Sequence, residues 1–263
     1  LGLAMKGAAL ATGFSPVVGI LICCIHFFSR KSTIKLIPVL PSIKKLIYSC
    51  QVGVSAFVGE ISSGVITVTF NMIILNLAGN TGVAAYGVVA NTSLVAVALF
   101  NGIAQGSQPL ISRSYGRGEE QNVRSLLKMS LTTAFGLGVL LVLFIFFSAP
   151  AVTAVFNSEH DLQLAAYADS GLKLYFIGFL FAGINIVGTA ALSAVESVKY
   201  AFCASISRGF VATIFFAFVL SACFKMTGIW LAFPAAEFAT MFITLSGLLY
   251  FTKQKGGMYH AKN

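Results

Sequence analysis

The stretch LIYSCQVGVSAFVGEISSGVITVTFNMIILNL, residues 46–77, decides the fold, because it is long, apolar and carries a single charge, Glu60. Glu60 stands fifteen residues beyond Lys45. At a helical rise of about 1.5 Å per residue that is roughly 22 Å from the charged end, well inside a hydrocarbon layer about 30 Å thick. Glu237, in WLAFPAAEFATMFITL (230–245), is similarly deep in another apolar run. A carboxylate at such a depth is costly. It faces a bundle interior or an aqueous cavity, and it handles protons, ions or cations. The pattern points to movement of a solute across a membrane.

The remaining composition agrees. The chain is 57% apolar and 10% charged, against about 25% charged residues in soluble domains. Seven apolar segments, 2–28, 46–77, 82–112, 125–149, 164–193, 201–223 and 227–251, each exceed the roughly 18 residues that mark a span. They are too long for barrel strands of about 9–11 residues. The expected fold is an all-α integral membrane bundle of seven transmembrane helices. Fourteen of the seventeen basic residues fall on one set of joints, 29–45, 113–128, 199–208 and the tail 253–263, which also places the C-terminus in the cytoplasm. Lys6, Lys173 and Lys225 fall on the other side, with Glu159, Asp161 and Asp169. The net charge of +9 is thus a topology signal, and a nucleic-acid partner is not expected.

The chain opens on Leu1, and its first span begins at once. An odd number of spans is unusual for folds made of paired repeats. Residues 1–28 are therefore read as the last helix of a missing N-terminal lobe and 29–45 as a basic cytoplasmic linker with Pro38 and Pro41. Residues 46–252 make a six-helix lobe, and 253–263 a cytoplasmic tail. The five cysteines lack metal-ligand spacing and read as small buried hydrophobes.

Several spans carry polar stripes. Ser63, Thr67 and Asn71 follow Glu60 at i+3, i+7 and i+11, which suggests a wet flank. Burial disfavours the charged form of Glu60 and a bound cation favours it, an opposition that couples proton loss to cation binding. In the next span, Asn101, Gln105 and Gln108 share a helical face. Buried amides there either line a path for a polar or cationic solute or bond neighbouring helices beside Gly102 and Gly106. Pro109 is expected to break that helix near its cytoplasmic end. Asn185 is the strongly polar group deep in its span, as packing glue or as a site. Pro234 can kink the last helix and free a carbonyl for Glu237 to accompany. Arg208 and Glu196 read as snorkelling or locally paired residues. No nucleophile stands near a base, so no enzyme is expected.

The segments GAALATGFS (7–15), AAYGVVANTSLVAVALFNGIAQGSQPLIS (84–112) with YGRG (115–118), and GIWLAFPAAEF (228–238) resemble the multidrug and toxic-compound extrusion (MATE) family, in its MepA-like branch. The resemblance implies the sixth helix plus the C-terminal lobe of a twelve-helix antiporter, in the bacterial inner membrane, with two lobes opening alternately to each side. It implies exchange of organic cations or drugs for H+ or Na+, with no other cofactor. Glu60 occupies the place of an acidic residue that helps bind the ion in some sodium-coupled members. Asn185 stands in the region where those members carry a second acid, which argues against a sodium site of that design. Asn71, Asn101, Gln105, Asn185 and Glu237 complete the set of candidate ion- and solute-facing residues. A flippase for lipid-linked precursors and a non-transporting truncated product are the alternatives, and half a carrier is not expected to transport alone.

Overall fold

A computed structural model describes residues 13–14, 16–22, 24–25, 42–157 and 160–260; the side chains of 48–49, 51–56, 58–60 and 253–260 lie outside the description. The chain divides at Leu46 into two compact units, and the second, Ile47–Asn263, holds the core and the candidate site. Regular structure among the described residues is helical.

Helix α1, Ile43–Gly116, is interrupted at Gly79, where φ is 64° and ψ −158°. An L side chain rarely adopts that backbone, and the glycine lets the two arms fold back on each other. Phe70 and Tyr86 stack across the break with ring centroids 5.5 Å apart. Contrary to the expected break, α1 continues through Pro109 to Gly116. One proline near a helix end removes one hydrogen bond, and the surrounding turn tolerates it.

Helix α2, Glu120–Phe156, is apolar around much of its girth, with Phe147 80% exposed. That is how a lipid-facing helix looks. On its inner side a Cβ at Gly138 would come within 2.9 Å of the Phe179 carbonyl oxygen, so these backbones approach closely. The predicted span 164–193 is two helices, α3, Leu162–Phe176, and α4, Phe179–Ala194, bent by 48°. Gly178 lies in the bend, and the ring of Phe233 and the backbone of Pro234 fill the space a side chain would need. Helix α5, Val198–Ile206, runs through a π-helical turn, Ser207–Val211, into α6, Ala212–His260. Helix α6 is broken at Lys225, where φ is 53°. Gly228 then packs against the Leu220 carbonyl and closes a second tight hairpin.

Helix α4 is the centre of the unit, packed by α2, α5 and α6. Aromatic rings fill the core around it. Tyr175 stacks on Phe233 at 4.2 Å, Phe100 on Phe179 at 6.1 Å, and Tyr86 on Trp230 at 6.4 Å. A smaller apolar cluster, with Ile111, Val123, Leu127, Leu192 and Leu248, sits toward the basic joints. There Arg124 ties α2 to α6 by donating from Nη2 to the Thr252 carbonyl at 3.0 Å.

The cysteines correct one expectation. Cys24, Cys50, Cys203 and Cys223 are free and exposed, and Cys23 lies outside the described residues. Small apolar side chains need no protein cover when lipid can supply it.

Candidate functional site

Three residues of α6, Glu237, Thr240 and Thr244, fall at i, i+3 and i+7 and so form one stripe along the helix. All three are buried, Glu237 to 2% exposure. The stripe faces α4 and the π turn. From α4, fully buried Asn185 donates its Nδ2 to the Glu237 Oε2 at 2.7 Å and to the Glu237 backbone carbonyl at 2.8 Å. Its Oδ1 accepts from the Thr244 hydroxyl at 2.9 Å, and that hydroxyl is shared with the Thr240 carbonyl at 3.3 Å. The amide orientation follows from the chemistry, because two acceptors require the NH2 end and a hydroxyl can serve the oxygen. Gly188, one turn beyond Asn185, leaves the room that the Thr244 methyl occupies.

The π turn supplies the countercharge. Arg208 donates from Nε to the Glu237 Oε1 at 2.6 Å, and Ser207 and Thr240 share a hydroxyl–hydroxyl bond of 3.0 Å. A buried carboxylate needs both a cation and hydrogen bonds to offset its lost hydration. Glu237 has both, and each of its carboxylate oxygens is matched to a donor on a different helical element. The other described ion pairs are local and more exposed: Lys173–Asp169 at 2.8 Å within α3, and Arg117–Glu119 at 3.8 Å. Pairs of that kind contribute little. Arg208–Glu237 spans 29 residues of sequence and joins two helical segments.

Arg208 is therefore neither snorkelling nor locally paired; its charge is tied to a remote carboxylate. Glu237 is held by side chains, and the break in α6 falls at Lys225 and leaves Pro234 inside the helix. Glu196 sits in the α4–α5 connection with a φ of 59°. Sequence reasoning marked Glu237 and Asn185 separately and missed that they meet. It missed Ser207, Thr240 and Thr244 as well, although the 237–240–244 spacing carried the signal.

The second set of candidates lies on α1 and takes no part in this network. Asn101 and Gln105 are exposed, and their amides make no hydrogen bond among the described residues. Gly102 and Gly106 beside them have open space where a Cβ would stand. Asn91, exposed, donates to its own helix at the Gly87 carbonyl at 2.8 Å, and exposed Thr67 bonds the Ser63 carbonyl at 2.9 Å. Asn71 is half-buried. The side chain of Glu60 lies outside the described residues.

Helices this long and apolar, with most of the charge placed at the joints, define a multi-pass membrane protein of the all-helical bundle class. The MatE family model matches residues 56–219, more than half of the sequence, and the chain belongs to the MatE family. Solved structures share its fold. An outward-facing multidrug resistance MATE family transporter of the MOP superfamily gives a TM-score of 0.85 at 19% identity, over 95% of this chain and 57% of that one. A MATE protein in complex with MaL6 gives 0.86 at 18% identity, over 97% and 58%. A MOP superfamily transporter from Pyrococcus furiosus, described as having a binding pocket of reversed polarity, gives 0.82 at 19% identity, over 97% and 57%. The chain thus spans less than two thirds of the length of these structures. No curated protein matches it.

Proposed function

We propose that this chain is the C-terminal portion of a secondary active exporter of the MepA-like branch, exchanging organic cations or drugs for H+ or Na+ by alternating access. The observation that carries the reading is the exposed amide face of α1, where Asn101 and Gln105 flank open glycine surface in an otherwise apolar span. Amides that lack a partner are unfavourable against lipid, and they suit water or a polar solute. A second lobe, equal to the rest of the length of the fold relatives, supplies the opposite wall. Glu60, on the first arm of α1, is the proton or cation acceptor in this scheme, with Asn71 about three turns further along the same stripe. The basic joints face the cytoplasm of a bacterial inner membrane, by the charge asymmetry of the loops.

The test is efflux of a fluorescent organic cation from cells producing the protein at full length. Glu60→Gln and the pair Asn101→Leu, Gln105→Leu are each compared with the parent at equal membrane level. Loss of export in both variants supports the reading. Unaltered export in both removes α1 from the solute path. A parent that exports no cation overturns the multidrug assignment.

A further inference from the structure

The π-helical turn Ser207–Val211 is a contact point on two sides. Toward α6, its first two residues make the bonds to Thr240 and Glu237. Toward α1, Gly209 lies against Ser62 so closely that a methyl group there would overlap the Ser62 Oγ and Cβ. Both residues are buried, Ser62 to 1%. The widened turn also has its own clasp: Thr213, five residues on, donates its hydroxyl to the Arg208 carbonyl at 2.5 Å.

A π turn holds one residue more than an α turn between the same neighbours, and such turns frequently fall at functional sites. Returning that residue to α geometry re-registers one side of the helix against the other by one position. The rotation is about 100°, since an α-helix has about 3.6 residues per turn. Three bonds oppose that return: Arg208 to Glu237, Ser207 to Thr240 and Thr213 to the Arg208 carbonyl. Each is a polar bond inside an apolar bundle, and two of the three are made by Arg208 itself.

We infer that the turn at Ser207–Val211 is a register switch, latched by Arg208 on Glu237, that couples the buried carboxylate of α6 to α1 through the contact of Gly209 with Ser62. With the latch closed, the extra residue is retained and Gly209 seats on α1. With the latch open, the turn tightens, α5 rotates relative to the start of α6, and the seat on α1 is withdrawn. Ser62 is on the first arm of α1, and that arm packs through Phe70 and Tyr86 on the second arm, which carries the exposed amides, so the switch gives Glu237 an indirect path to that face. The inference stands on packing and hydrogen bonds and does not depend on what the protein transports.

Two native cysteines bracket the turn. Cys203 is exposed on α5, and Cys223 is exposed on α6 before its break. The residues beside Cys203 are half-buried Phe202 and buried Ala204, so re-registering in either direction takes Cys203 to a less exposed place. The experiment places a spin label on Cys203 or on Cys223 of the full chain in lipid bilayers, with the other cysteines changed to serine, and measures collision with oxygen. Glu237→Gln should lower the accessibility of the Cys203 label several-fold and leave Cys223 unchanged, while Arg208→Lys, which can keep the pair, stays like the parent. Thr213→Val opens the clasp at nearly constant volume and leaves the ion pair intact. It should move Cys203 in the same direction by less, and it serves as the test if Glu237→Gln does not insert. Labels that stay unchanged at both sites in every folded variant overturn the switch, as do labels that change equally at both. Neither result bears on export, so failure here leaves the transport reading where it stood.

Discussion

Asn185 and Asn101 are the same residue type, each within a long apolar helix, and the bundle treats them in opposite ways. Asn185 is fully buried, with both ends of its amide bonded to α6. Asn101 is exposed, with its amide unpaired among the described residues. The difference lies in what covers each position. Around Asn185, glycine at 188 and the small hydroxyls of Thr240 and Thr244 let helices close on the amide. Around Asn101, Gly102 and Gly106 leave a smooth surface that nothing in the unit fills. One region uses polarity to hold the lobe together, and the other presents it outward.

If that contrast is right, stability and transport respond to different substitutions. The largest stability loss is expected from Glu237→Leu, which strands Arg208. Breaking one side of a buried ion pair costs about 3 kcal/mol or more. A thermal melt in detergent should show it, and Arg208→Met together with Glu237→Leu should recover most of the loss. A double variant as unstable as the single one would mean that the pair's charge is not what the bundle depends on. Gly188→Val comes next, at about 1–3 kcal/mol, because the added methyls meet Thr244 and push it from Asn185. Asn185→Leu should cost less, about 1–2 kcal/mol, in keeping with hydrogen bonds between membrane helices. Equal losses from Asn185→Leu and Asn101→Leu in the same melt would erase the distinction between the two regions.

The smallest stability effect belongs to Asn101→Ala and Gln105→Ala, within about 0.5 kcal/mol as for exposed positions generally. Their effect on export should be the reverse of their effect on stability. A variant that melts like the parent and exports poorly sharpens the contrast. One that melts low and exports normally reverses it.

Much of the fold was legible in the order of residues. Six apolar runs from 46 onward correspond to helical stretches, with breaks at Gly79 and Lys225 inside the expected joints. Apolar length and the distribution of charge are local properties, and lipid reads them locally. The bend between Phe176 and Phe179 was not legible, because it depends on Phe233 and Pro234 of α6 entering the space at Gly178. The outward cysteines were misread for a related reason: apolarity cannot say whether a neighbour is protein or lipid.

The sequence by itself determined that this protein is a helical membrane bundle, where the joints at Gly79 and Lys225 fall, and that Glu237 and Asn185 are expensive residues to place at depth. Only the tertiary structure decided that Glu237 meets Arg208 across 29 residues, and that Asn185 and Thr244 orient it. The physical reason is one of scale. Hydropathy and turn chemistry act over a few residues of chain, whereas a buried charge is made tolerable by donors on other helices, and those are chosen by packing.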